Sequence, residues 1–196
     1  MKRKNNTDKA VLDFIAEAGL LKRVKRSGWW VLGIENPESV ADHSFRCAVL
    51  GYCLARMEGA DTEKVLMMTL FNDIHEARIS DLHKMAQRYI DGTKAEDKAF
   101  NEQADVLPAL ISGPLKDMHE NYRAQNTLES IVARDADILE CLIQACEYRE
   151  HGFKEAVRFT KKAPGFLKTK SAKRLWKLAA KYSFNDWWHR LSTFSR

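Results

Sequence analysis

The chain is poor in residues that interrupt helices. Only four prolines and nine glycines punctuate its 196 residues. The strict alternation of apolar and polar residues that marks half-buried strands is missing, and so is any repeat of fixed period. No run approaches the ~18 consecutive apolar residues of a membrane span. The basic start "MKRKNNTDKA" is not followed by an apolar stretch, so it does not read as a signal peptide, and the cytoplasm is the expected compartment. The four cysteines (Cys47, Cys53, Cys141 and Cys146) lack CxxC spacing and fall in apolar helical patterns. They read as small buried hydrophobes in a reducing compartment rather than as zinc ligands or disulfides.

What is present fits a single soluble globular domain spanning 1–196. Hydrophobic residues make up 45% and charged residues 30%, the balance of a chain that folds. The net charge of +5 and pI of about 9.0 suit phosphate-bearing ligands. Apolar residues recur at three- and four-residue spacing, which predicts six or seven helices and an all-α fold, a compact multi-helix bundle. The expected spans are about 8–24, 39–57, 61–76, a short element at 83–90, then 95–106 and 127–149. Two further helical stretches follow, divided at Pro164-Gly165. "SGPL" (112–115) reads as a break.

The stretch "LFNDIHEARISDL" (70–82) sets two aspartates, a glutamate, a histidine and an asparagine in an apolar frame. It follows Val65, Leu66, Met67, Met68, Leu70 and Phe71, a helix apolar nearly all round and so expected at the centre. Asn72 shares a face with His75 and Glu76, Asp73 lies beside that face, and Asp81 lies just past the helix end. Buried acids need partners, because desolvating a charge is costly. His43, in "ESVADHSFRC", sits one turn into a second apolar helix, and taken alone it reads as a core or cap histidine. A third helix, "LESIVARDADILECLIQACEY", offers Asp135 and Asp137, and helical periodicity alone picks Asp135 as the buried acid. A histidine and two aspartates converging from three helices would make a divalent-metal site.

The ordered set "NPESVADHSFRCAVLGYCLA", "FNDIHEARISDL" and "ADILECLIQA" resembles the HD-domain metal-dependent phosphohydrolases. Within them it is most similar to the branch of deoxyribonucleoside 5'-monophosphatases. The motif core covers about 20–150, leaving 151–196 as a C-terminal helical extension. The resemblance implies His43, Asp73 and Asp137 as metal ligands, and so favours Asp137 over Asp135. Glu76 matches an acid that positions or deprotonates the attacking water, and Asp81 a second catalytic acid, here preceded by Ser80 where the family usually has glycine. Arg26 and Trp29, in "KRSGWW", match a loop that grips phosphate and packs near the sugar. The implied cofactor is a divalent ion (Mn, Co, Mg, Fe or Ni), and the implied substrate a (deoxy)nucleoside monophosphate.

The position of the family's paired histidine is occupied by Asn72. A carboxamide is a weaker ligand for first-row divalent ions than an imidazole, so weakened metal binding and turnover are expected. His75, one turn along, is the imidazole that could compensate. Two alternatives stay open beside the monophosphatase. One is a triphosphohydrolase of the same superfamily, which would need more cations, with Lys22, Lys25 and Lys84 as candidates. The other is a degenerate HD domain that binds nucleotide without hydrolysis. The basic segment 154–181, with Phe166 and Trp176, raises nucleic-acid binding, but "SAKRLWKLAAKY" reads better as an amphipathic helix with Leu175, Leu178 and Ala179 inward. The aromatic tail "FNDWWHRLSTF" (184–194) points to a subunit interface and a homodimer.

Overall fold

A computed structural model describes residues 2–189 and 191, with side chains from residue 7 onward. Among the described residues there are helices and no strands; the only β pairing is an isolated bridge between Lys25 and Ser39. Among the described residues no helix is long and apolar enough to cross a membrane. The elements are α1 (Lys2–Leu20), α2 (Val40–Glu58), α3 (Thr62–Phe71), α4 (Glu76–Ile79), α5 (Gly92–Asp105), α6 (Ala109–Ala124), α7 (Leu128–Glu150), α8 (Glu155–Phe159), α9 (Lys170–Ala179) and α10 (Asp186–His189). Short 3-10 turns lie at Ser27–Leu32, Ala86–Arg88 and Ala163–Phe166.

The three central helices start where side chains can satisfy their free N–H groups. Ser39 and Asp42 form a reciprocal capping box on α2, Asp61 caps α3, and Thr127 with Ser130 caps α7. Gly59, at φ 74°, ends α2 in the left-handed conformation that glycine adopts without a Cβ clash. These helices pack around Val40, Leu54, Val65, Val132, Leu139 and Leu142, all fully buried. Each such side chain contributes about 1.5–3 kcal/mol relative to exposure. Gly51 allows α2 and α3 to approach closely: a Cβ there would stand 2.9 Å from Thr69 Cγ2 and 3.1 Å from Val65 Cγ1. A second apolar cluster of Trp29, Ile34, Ala145 and Ala156 fastens the 27–34 loop to α7 and α8.

Several boundaries depart from the sequence reading. The segment expected to be one helix over 61–76 is two, because the chain turns at 72–75 between α3 and α4. That turn aims Asp73 and Glu76 inward together, and both are buried. Helix α3 is not apolar-contacted all round, since Leu70 is 46% exposed. The "SGPL" segment lies inside α6, with Pro114 tolerated in the helix. On α9, Ala179 is buried as expected, but Leu178 is 65% exposed. Of the aromatic tail, Trp187 and Trp188 are exposed, while Arg190 and residues 192–196 lie outside the described residues.

Candidate functional site

A cavity of about 290 Å³ opens where the 27–34 loop, the 72–81 turn and α7 meet. Arg26, Trp29, Asn72, Asp73, Glu76, Asp81 and Asp137 all line it. His43 lies beneath its floor, 2% exposed, with Nε2 3.5 Å from Asp73 Oδ2 and 3.2 Å from Asp137 Oδ1. Three elements therefore bring together the imidazole and the two carboxylates. Two donors each about 2.1 Å from one ion, at angles of about 90–109°, stand roughly 3.0–3.4 Å apart. The 3.2 Å separation of His43 from Asp137 falls within that range, and the 3.5 Å separation from Asp73 lies just above it.

The surrounding charge also suits a cation. Burial pushes the Glu76 carboxyl well above the usual range, and the neighbouring Asp73 and Asp81 push it further. Glu76 Oε2 is buried with no hydrogen-bond partner among the described residues. A buried acid without a partner, beside two aspartates, is what a site built around a positive ion leaves when only protein atoms are counted. Burial alone would raise Asp137, but the His43 hydrogen bond and the Arg134 charge hold it well below the usual carboxylate range. Arg134 Nη1 stands 3.1 Å from Asp137 Oδ2. Burial and the Arg26 charge pull the His43 pKa down, and the Glu140 and Asp137 carboxylates outweigh them, bringing it up to about 10.

Asn72 is hydrogen-bonded to its neighbour in the chain. Its Nδ2 donates to Asp73 Oδ1 at 2.7 Å, holding that carboxylate by one oxygen while the other faces His43. His75 is buried, lines the same cavity, and has no partner for Nδ1 among the described residues. Burial lowers its pKa.

The loop and the acids are joined directly. Ser27 donates to Asp81 Oδ2 through its backbone N–H (2.5 Å), and its single hydroxyl proton is shared between the Asp81 carbonyl at 2.8 Å and Oδ2 at 3.0 Å. Asp81 Oδ1 is left 3.7 Å from Arg26 Nη1, which is also 3.7 Å from Asp73 Oδ2. Trp29 is 3% exposed and donates through Nε1 to Glu38 Oε1, with its ring packed against Tyr148 and Phe159.

Sequence reasoning did not anticipate Ser27, Glu38, Arg134 or Glu140 near the site. For Glu140 a signal existed: it stands three residues after Asp137 on the same helix face, and a buried histidine needs a partner. Glu38, His43 and Glu140 also form a group whose ligand atoms lie within 4.8 Å of one another. Glu140 in that group is already engaged by His43 Nδ1 and Arg46, and Glu38 by Trp29. The face of His43 toward Asp73 and Asp137 is thus the better place for a cation. Asp135, the acid favoured by periodicity, is indeed buried. It faces away from the cavity, accepting backbone N–H bonds from Lys168 and Thr169 ahead of α9.

The comparisons with known proteins agree with this geometry. A family model described as an HD domain matches residues 18–177. The chain is 31% identical over 148 residues to the 5'-deoxynucleotidase HDDC2 of Dictyostelium discoideum, covering 71% of this chain and 77% of that protein. It is 30% identical over 147 residues to the Xenopus laevis protein of the same name, covering 74% and 73%. A solved structure of a conserved hypothetical protein from Pyrococcus furiosus superimposes with a TM-score of 0.73 at 33% identity, covering 87% of this chain and 97% of that one. An all-helical bundle that gathers a histidine and two aspartates at one cavity, matched by that family model over most of its length, belongs to the HD-domain family.

Proposed function

We propose that this chain is a metal-dependent 5'-nucleotidase acting on deoxynucleoside monophosphates, releasing nucleoside and phosphate. The observation that carries the reading is the meeting of His43 Nε2, Asp73 Oδ2 and Asp137 Oδ1 at the floor of a cavity that also holds Arg26. The two 5'-deoxynucleotidases of similar sequence supply the substrate class. His43, Asp73 and Asp137 would hold a divalent ion such as Mn, Co, Mg, Fe or Ni, with Asn72 bracing Asp73 rather than coordinating strongly. Such an ion, when bound, polarises the phosphoryl oxygen and lowers the pKa of water beside it.

The protein's own groups do the rest. Arg26 offers a forked donor to the phosphate oxygens from beside Asp73 and Asp81. Asp81, fixed by Ser27 through Oδ2, presents Oδ1 toward the same place. Glu76 has a free oxygen with which to take or return a proton at the attacking water or the leaving oxygen. Trp29 forms an apolar wall suited to the sugar. The cavity lies near the low end of the range for small-molecule sites, about 300–1,000 Å³. Of the cations weighed for a triphosphate, Lys84 lines it, whereas Lys25 donates to the Pro37 carbonyl and Lys22 borders a different hollow beside α2. This favours a monophosphate.

Asn72 supports a second reading, a domain that binds nucleotide without turnover. One experiment separates the two: phosphate release from a panel of nucleoside 5'-monophosphates, with added divalent metal, by this chain and by Asn72→His. The hydrolase reading expects release by the histidine variant, with more metal bound. No release by either chain, with nucleotide still bound, establishes the second reading. We further infer a single domain, because α9 packs on α2 and α7 and is tied to Asp135. The four free thiols suit the cytoplasm. The exposed Trp187 and Trp188 suit a homodimer interface, which light scattering would test.

A further inference from the structure

His43 can offer a cation only one ring nitrogen, and which one carries the proton is decided on its far side. Nδ1 meets Glu140 Oε2 in a very short contact, and Glu140 is fully buried. Its two oxygens have separate partners. Oε2 faces His43, while Oε1 accepts from Arg46 Nε at 2.8 Å and lies 2.7 Å from Nη2. Arg46 is held in turn by Glu147, whose two oxygens accept from Nη1 at 2.8 and 2.7 Å, and by Gln144 Oε1 at 2.5 Å from Nη2. The chain Glu147–Arg46–Glu140–His43 thus runs between α2 and α7 from a half-exposed end to the floor of the cavity.

A guanidinium only donates hydrogen bonds, so Arg46 compels Glu140 to keep an acceptor turned toward it. A carboxylate can do this and still accept from Nδ1–H with its other oxygen. We propose that Glu140, oriented by Arg46, is a positioning residue that keeps a proton on His43 Nδ1, so that the proton a cation displaces is the one on Nε2 and the freed lone pair aims at the space between Asp73 and Asp137. The inference rests on the reading of that space as the cation site. Partners of this kind around a metal-binding histidine commonly matter about 10–100-fold in affinity.

The arrangement makes a prediction that general structural damage does not. In Glu140→Gln, the amide oxygen must face Arg46, so the NH₂ group faces His43 and demands an acceptor there. The ring proton is then forced onto Nε2, the wrong nitrogen. Removing Arg46 lifts the constraint. In Arg46→Met/Glu140→Gln, the amide can turn its oxygen to Nδ1–H and restore the correct tautomer.

The test is Zn²⁺ affinity by competition with a chromophoric chelator, beside long-range ¹H–¹⁵N spectra of His43 with Zn²⁺ present. The expected results are an Nδ1–H ring in the unaltered protein, a roughly 10–100-fold weaker affinity in Glu140→Gln, and recovery of most of that loss in the double variant. Unchanged affinity in Glu140→Gln, an additive further loss in the double variant, or an Nε2–H ring in the unaltered protein overturns the proposal alone. If the single variant does not fold, the ring spectrum of the unaltered protein decides. Failure of the unaltered chain to bind Zn²⁺ at all overturns both this inference and the cation site beneath it.

Discussion

Ser80 precedes Asp81 with φ 62° and ψ 167°. That region is sterically open almost only to glycine, and a residue with a Cβ held there stores about 1–3 kcal/mol. Replacing Ser80 by glycine removes the clash and leaves the backbone bond from its N–H to the Glu76 carbonyl, 2.9 Å long, unaltered. The gain is offset by the greater freedom of glycine in the unfolded chain, about 0.4–1 kcal/mol. The net expectation for Ser80→Gly is a stabilisation centred on about 1.3 kcal/mol, or roughly 3–5 °C in Tm for a domain of this size. Urea unfolding followed by circular dichroism at 222 nm measures it directly. Ser80→Ala is the control, since it keeps the Cβ and gains nothing from relief of strain. A glycine variant no more stable than wild type, or an alanine variant equally stabilised, would refute the argument. Phosphate release should be preserved in Ser80→Gly, because the Ser27 bonds still fix Asp81.

Other perturbations test other parts of the molecule. Gly51→Ala sets about 1–3 kcal/mol of overpacking against Thr69 and Val65 against about 1 kcal/mol of improved helix propensity. A net loss of roughly 1 kcal/mol is expected in the same urea assay. Asp135→Ala strips the acceptor from the backbone N–H groups of Lys168 and Thr169 and should cost about 3 kcal/mol, with phosphate release per folded molecule unchanged. The His119 ring stacks on Phe100 at 4.0 Å, and burial holds its pKa below the ordinary 6.5, although Asp97 pulls the other way. The unfolded chain then takes up the proton first as pH falls, so this contribution is full above the unfolded pKa and is lost below it. Melting temperatures between pH 8 and 5 should fall less steeply in His119→Asn than in wild type.

Legibility in the sequence followed the range of the forces involved. Helices α2, α3 and α7 could be placed closely because caps such as Ser39, Asp61 and Thr127 act on their own neighbours. The turn at 72–75 was invisible, because apolar spacing continues through it and tertiary packing breaks the helix there. Helix α6 was missed because Gly113-Pro114 carries a local stop signal that its neighbours override. At the site, the residues that the resemblance pointed to line one cavity or lie beneath its floor. Periodicity picked Asp135 correctly as the buried acid, but it reports burial and not toward which neighbour: Asp135 is buried against the start of α9, while Asp137 lines the cavity. Ser27 was out of reach for a related reason, and for Glu140 the helix face hinted at a role without naming its partner. Their partners Asp81 and His43 lie 54 and 97 residues away in the chain, and local pattern does not identify a partner at such distances.

The bonds between Ser27 and Asp81 have a consequence for traffic through the cavity. They lash the loop bearing Arg26 and Trp29 to the acid turn, and Trp29 is wedged from behind by Tyr148. That wall cannot swing outward without undoing its own latch. Any widening of the cavity on that side must first break the bonds from Ser27 to Asp81, so its cost falls on the acid turn as well as on the loop.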